Sequence, residues 1–260
     1  AYLHPSEHMP NYGRDMGRLM LQVALLLHVD FEQLPGSPDK LPLLVPFVQF
    51  GIDLAGIADH GGGWRANGGH GMGRKWPILF AGLMLHDDHM TNVGHWSRDF
   101  NTGVEFQEDQ NHFYVSRTEV DITHSGAWNP DTRATLERYE LSDIGTPDWG
   151  IRHGYRPEQD NASWSATYRS INDAVTPGFA LAARIMGAQA LWNHDAYFDY
   201  AERTMEHTGG GSGTNGVPDF GKDMWALYAD AFSVESYNDF LLEHFSAAER
   251  DNPAVTGRNA

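Results

Sequence analysis

Four short strings in this 260-residue chain concentrate the residue types that bind anions or move protons. The first is Trp64-Arg65-Ala66-Asn67-Gly68-Gly69-His70-Gly71-Met72-Gly73-Arg74-Lys75-Trp76. The 27 residues from His60 to His86 contain no Asp or Glu and carry Arg65, Arg74 and Lys75, a local charge of +3 in a chain of net charge -17. Glycine lets backbone N–H groups approach a ligand, and Arg74 offers a fork for a carboxylate. Trp64 and Trp76 offer stacking faces, and a helix starting near Pro77 would add its positive dipole end. The pattern suits a site for an anionic group, with Asn67, His70 and Lys75 as further contacts. A glycine-rich turn whose cations pair with carboxylates elsewhere would use the same residues.

The second string is Glu105-Phe106-Gln107-Glu108-Asp109-Gln110-Asn111-His112-Phe113-Tyr114. In an extended segment alternate residues share a face, which groups His112 with Tyr114 and makes His112 a candidate base. A surface hairpin with satisfied polar side chains is the competing reading. The third joins Trp149-Gly150-Ile151-Arg152-His153 to Trp164 and Tyr168-Arg169. If Trp164 opens a helix, Tyr168 lies one turn on, beside Arg169 and the Arg152-His153 pair, and nearby positive charge biases a phenol toward phenolate. Tyr168 is thus a candidate for proton transfer, although Tyr and Trp at helical spacing also build cores. The fourth, Trp192-Asn193-His194-Asp195, sits at a junction of two apolar segments, where Asn193 and His194 could line a cleft and Asn193 or Asp195 could cap a helix. His86-Asp87-Asp88-His89 has spacing a metal could use, but a polar helix end accounts for it, and neither metal nor cofactor is expected. Asn161-Ala162-Ser163 is a formal glycosylation sequon.

The elements that must position these groups read as helices. Apolar residues at Met16, Leu19, Met20, Val23, Leu26 and Leu27 predict a helix over 14–29. Further helical patterns run over 45–57, 77–86, 132–141, 164–172, 178–191, 196–207, 222–228 and 234–245, with a loop at 59–73 and a glycine-rich connector at 209–216. Residues 97–128 mix Val, Phe, Tyr and Thr with turn formers and predict a short β or extended excursion. The expected fold is all-α, a single domain over 1–260 of stacked helical hairpins with long loops that carry chemistry.

Composition narrows the partners. The charge of -17 argues against nucleic acid and against anionic membrane, whose affinity depends on many charges acting together. The longest uncharged apolar stretch, Leu41–Gly51, contains Pro42 and Pro46 and is too short to span a bilayer. With no cysteine, disulfides, thiolate catalysis and zinc-thiolate sites are excluded. The 8 Trp and 10 Tyr suit a sugar-binding cleft or a helical core. An initial Ala1 without a basic, apolar leader suggests a processed chain, hence a secreted or periplasmic protein.

The strings 47–53, 68–82, 149–153 and 185–194 together resemble bacterial polysaccharide-degrading proteins with an (α/α) toroid, in particular polysaccharide lyase family 38, the glucuronan and alginate lyases. The resemblance runs over roughly residues 11–228. It implies β-elimination on a polyuronate, an anionic polysaccharide. A neutraliser holds the uronate carboxylate, a base removes the C5 proton, and an acid protonates the departing O4. Carried onto this chain, it implies Tyr168 as acid and base, His112 as alternative base, and Glu105 with Asn67 or Arg74 at the carboxylate, with Tyr114 and His70 in reserve. The roughly nine helices fall short of a full ring, so either some helices escape the pattern or the toroid is incomplete. Two other functions fit the same composition. One is a glycoside hydrolase using a pair from Glu105, Glu108, Asp109, Asp148 and Asp160. The other is a non-catalytic glycan binder using Trp64, Trp76, Trp149 and Trp164 as platforms.

Overall fold

The computed structural model describes residues 12–66, 71–99, 102–125, 138–150, 173–210 and 216–228. Within them the fold is mostly helical, with ten α-helices and two two-stranded sheets. The expected helices over 164–172 and 234–245 lie outside the described residues, as does 132–137 of a third, whose remaining end is a 3-10 turn at Leu141–Asp143.

Helix α1 (Tyr12–Leu26) buries Met16, Leu21, Ala24 and Leu25, a stripe rotated from the one its spacing suggested, so that Leu19 is exposed while Met20 and Val23 pack at the core's edge. Gly17 and Gly178 explain the rotation, because Gly17 meets Val175 and Gly178 meets Leu21 where α1 crosses α7 (Thr176–Ile185).

Helix α2 (Leu41–Asp59) begins four residues earlier than its pattern suggested. Asp39 Oδ1 accepts the Leu41 N–H at 2.9 Å, and Pro42 sits in the first turn, where it needs no donor. At 19 residues, α2 is long and apolar enough to reach across a bilayer by length and composition, which the expectation of a short interrupted stretch missed. It runs antiparallel to α3 (Lys75–Leu85), with the Phe47 and Phe80 rings 5.2 Å apart and Gly51 against Pro77 O. The four-residue α4 (Asp88–Thr91) follows, capped by Asp87, whose Oδ1 accepts the Met90 N–H at 2.9 Å.

The expected excursion at 97–128 divides into strand and helix. β1 (Ser97–Asp99) and β2 (Thr102–Gly103) form one antiparallel pair. A short α5 (Gln107–Asn111) leads into β3 (His112–Tyr114), which pairs antiparallel with β4 (Pro147–Trp149), His112 opposite Trp149. Helix α6 (Arg117–His124) corrects the extended reading of its segment, because Ser116 and Glu119 form a reciprocal capping box. The single helix expected at 178–191 is broken at Gly187, φ 63°, into α7 and α8 (Gln189–Trp192). α9 (Asp195–Thr208) packs on α7 and on the β3–β4 pair, and α10 (Asp219–Tyr228) on α7 and α1. One large core joins the helices through Trp76, Phe179, Trp192 and Tyr197, and a smaller one under β3 and β4 holds Phe113, Tyr139, Trp149 and Tyr200.

Candidate functional site

The acid-free string and the acid-rich string meet. α5 lies across the start of α3 and supplies the carboxylates and amides that this start lacks. Glu108 Oε1 accepts the N–H groups of Gly73, Arg74 and Lys75 at 2.8, 2.9 and 3.3 Å, so a buried side chain distant in sequence caps α3. Gln107 Oε1 accepts the Gly71 N–H at 2.7 Å, and Gln110 Oε1 the Ala66 N–H at 2.7 Å. Gly71 is required, since a Cβ there would stand 2.6 Å from Trp64 O and 2.8 Å from Gln107 Cβ.

For Lys75 and Arg65 the arrangement follows the alternative reading, a glycine-rich turn whose cations meet carboxylates elsewhere. Lys75 is buried. Its Nζ donates to Asp109 Oδ1 at 2.6 Å and to Trp192 O at 2.8 Å, and lies over the Trp192 ring at 5.2 Å. Arg65 is exposed, with Nε 4.0 Å from Glu105 Oε1. Trp64 is buried and stacked on Phe106 at 5.7 Å, so its ring is wall and not platform. Arg74 differs from the others. Its guanidinium is fully buried and one nitrogen donates to Met72 O, but Nε and Nη2 have no hydrogen-bond partner among the described residues. Burial pulls its pKa down to about 10, which still leaves it charged at neutral pH, and the Glu108 carboxylate opposes the shift.

His112 leaves the end of α5 into β3 and is fully buried. Its Nδ1–H donates to Glu108 O at 2.6 Å, which leaves Nε2 as an acceptor facing Thr176 Oγ1 at 3.3 Å. Burial lowers its pKa to about 3, so the ring is neutral at neutral pH. Tyr197 and Tyr200 meet the ring edge-on at 4.6 and 5.2 Å. The shared face expected for His112 and Tyr114 does not form a site. Alternation places them on one side of β3, but His112 points into the core while the exposed Tyr114 gives its O–H to Asp199. Burial, and then Asp199, raises the Tyr114 phenol further from ionisation, against a role as base.

Glu105 is half-buried beside Arg65, its Oε1 accepting from Gln110 Nε2 at 3.0 Å. Asn193 is the left-handed cap of α8, φ 58°, and its Nδ2 donates to Gly94 O at 3.1 Å. His194 donates from Nε2 to His112 O at 2.9 Å, which ties the α8–α9 junction to β3. Tyr168, Asn67, His70, Arg152, His153 and Arg169 lie outside the described residues.

The structure therefore brings together Arg74, Lys75, Glu105, His112 and His194. It adds Gln107, Asn111, Thr176 and Tyr197, to which the sequence assigned no role, and it places Glu108, a candidate in the sequence only as one of the hydrolase carboxylates, at the cap of α3. Buried polar atoms without partners among the described residues concentrate here: Arg74 Nε and Nη2, Gln107 Nε2, Glu108 Oε2 and Asn111 Oδ1, with the indole nitrogens of Trp76 and Trp192. Burying such atoms unpaired costs free energy, and donors outnumber acceptors among them. A charge ledger would have found the partnership, since a 27-residue stretch of +3 calls for carboxylates and Glu105, Glu108 and Asp109 form a dense nearby cluster. No group of three or more potential metal ligands occurs among the described residues. No family model, curated protein or solved structure matches the chain.

Proposed function

We propose that the chain is a polysaccharide lyase that cleaves a polyuronate, such as alginate or glucuronan, by β-elimination, on helical hairpins forming part of an (α/α) toroid. The observation that carries this reading is the pairing of Arg74 with His112 through Glu108. Glu108 accepts the Arg74 main-chain N–H on its carboxylate and the His112 Nδ1–H on its carbonyl; the buried Arg74 guanidinium has two donor nitrogens without a partner among the described residues, and the neutral His112 has a tautomer that leaves Nε2 an acceptor.

Each supplies a step. Arg74 Nε and Nη2 are a planar fork suited to a uronate carboxylate, and charge accumulating there on loss of the C5 proton is stabilised by the fixed cation. His112 Nε2 takes the C5 proton. The electrons of that C–H bond form the C4=C5 double bond as the C4–O4 bond breaks, and O4 leaves with its electron pair and a proton donated by a tyrosine. Tyr168 holds that role, with Tyr197 against the His112 ring in reserve. A base held near pKa 3 by burial is weak, but a bound carboxylate raises it toward neutrality. Both groups are enclosed, so a polymer gains them only as the covering side chains move aside.

The hydrolase alternative drew on five carboxylates, of which three are engaged within the fold, Glu105 is half-buried beside Arg65 and Asp160 lies outside the described residues. Glu108 caps α3, Asp109 is bound to Lys75, and Asp148 accepts from Tyr139 Oη and from Trp149 N at 2.7 Å. Of the platforms for passive binding, Trp64, Trp76 and Trp149 are buried, and Trp164 lies outside the described residues.

Incubation with alginate, glucuronan and neutral glucans separates the readings, following ultraviolet absorbance of unsaturated uronate together with reducing ends. A lyase raises both on a polyuronate only. Reducing ends without absorbance would overturn the proposal in favour of hydrolysis, and no change in either would overturn it in favour of binding. Tyr168→Phe and His112→Gln are each expected to abolish turnover in folded protein.

A further inference from the structure

The fold satisfies the buried guanidinium of Arg74 at one corner only. Nη1 donates to Met72 O, while Nε and Nη2 have no hydrogen-bond partner among the described residues. Those two nitrogens form one edge of the planar group, so their N–H bonds point side by side in the same direction. Gln107 is held at the same turn. Its Oε1 accepts the Gly71 N–H at 2.7 Å, which fixes the orientation of the amide, and its buried Nε2 has no partner among the described residues. Gly71 and Met72 are adjacent, so one short stretch of backbone anchors both side chains, the amide by an N–H and the guanidinium by a carbonyl.

We propose that, in the substrate-free protein, Arg74 and Gln107 together bind a small monovalent anion of the size of chloride or formate, with Arg74 Nε and Nη2 and Gln107 Nε2 as its donors. Size follows from burial. Neither Arg74 nor Gln107 exposes any surface, so the occupant is limited to a few atoms. This site stands on the geometry of the turn and not on lyase chemistry. On the lyase reading of the same arginine, the anion is what the uronate carboxylate displaces.

Charge favours an anion over a water molecule. Lys75 is bound to Asp109 at 2.6 Å, and Arg65 stands beside Glu105. Glu108 is the carboxyl whose charge acts on Arg74, yet neither Nε nor Nη2 donates to it. Its Oε1 accepts three backbone N–H groups, and its Oε2 has no partner among the described residues. Burial pushes Glu108 toward its neutral form, in which it no longer balances the guanidinium. A buried cation without a bonded counter-charge is costly. Water would satisfy the donors but not the charge, and it would bring two more hydrogens to a place where donors without partners already outnumber acceptors. An anion only accepts.

Chloride NMR on the full chain in dilute sodium chloride tests this without a substrate. The wild type is expected to broaden the chloride line beyond its width in free solution, and sodium formate should reverse the broadening by displacement. Gln107→Glu keeps an oxygen for the Gly71 N–H but puts negative charge where Nε2 stood. It should abolish the excess broadening while leaving the helical circular dichroism unchanged, and Arg74→Met should do the same. Crystals of the wild type grown in sodium bromide should show an anomalous-scattering peak against Arg74 Nε and Nη2, which decides the matter where a variant fails to fold. The proposal is overturned by a wild type that gives no excess broadening, by broadening that survives both substitutions in folded protein, or by a water or a carboxylate of this chain in place of bromide. Anion binding by a chain that leaves polyuronates intact sustains the site while the lyase reading fails, and uronate cleavage without anion binding does the reverse.

Discussion

Glu108 accepts the His112 Nδ1–H on its main-chain carbonyl at 2.6 Å while its carboxylate closes the start of α3. One residue thus fixes both the tautomer of the candidate base and the backbone that carries Arg74. Burial raises the pKa of this carboxyl against the backbone N–H groups that favour its charge. Its anchoring force is the satisfaction of backbone donors that no local residue could reach.

Substitution of Glu108 should separate hydrogen bonding from charge. Glu108→Ala leaves the Gly73, Arg74 and Lys75 N–H groups unsatisfied in a buried place and is expected to cost about 2–4 kcal/mol of unfolding free energy. Glu108→Gln keeps an acceptor oxygen in the same place and should cost roughly 1 kcal/mol or less. Urea denaturation of both variants checks this. Equal losses would mean that charge, and not acceptance by the side chain, is what α3 requires.

What the residues reveal of this site depends on how local the cause is. α1, α2, α3 and α9 were legible because helical periodicity and a proline in the first turn are local signals. The Ser116/Glu119 box was equally local and was passed over because Val, Thr and Phe around it suggested strand. The cap of α3 was not legible, since it is made by residues more than thirty positions away. The same distance misled the reading of Lys75 and Trp64. Their types suit a ligand, but Asp109 and Phe106 reach them first.

Lys75 and Asp109 should behave as a coupled buried pair. Lys75→Met leaves Asp109 and the Trp192 carbonyl without their donor, and a loss of about 3–5 kcal/mol is expected. Adding Asp109→Asn removes the stranded charge, so the double variant should recover part of that loss. A double-mutant cycle in guanidinium reads the coupling directly. Additive losses would show that Asp109, which is partly open to solvent, is satisfied without the lysine.

Acid should destabilise the fold through two histidines. Burial, and then Lys40, lowers the pKa of His28 to about 4, and burial lowers that of His112 to about 3. In the unfolded chain both titrate near their ordinary value of 6.5. As pH falls from 6.5 toward 4 and then 3, the unfolded chain takes up protons that the folded chain refuses, so stability declines through that window. Glu108 has the opposite sign. Its raised pKa lets the folded chain keep a proton the unfolded chain has lost, so its contribution falls as pH rises above the ordinary carboxyl range. His28 lies apart from the site and its Nε2 is buried without a partner among the described residues, so His28→Leu should flatten the decline between pH 6.5 and 4. Melting temperatures across that range decide the matter. An unchanged slope would exonerate His28.

The contact between α2 and α3 should be sharply intolerant at one glycine and indifferent at another on the same helix. At Gly51 an added Cβ would lie 2.1 Å from Pro77 O and 2.6 Å from the Ala81 Cβ, and both neighbours belong to a helix whose start is fixed by Glu108. Relief requires α2 and α3 to separate, and Gly51→Ala is expected to cost about 3 kcal/mol or more. At Gly56 the added methyl meets nothing within 4 Å. There the gain in helix propensity is unopposed, so Gly56→Ala should stabilise the chain by roughly 0.5–1 kcal/mol. Chemical denaturation measures both. Similar effects at the two positions would mean that α2 does not rest on α3 through Gly51.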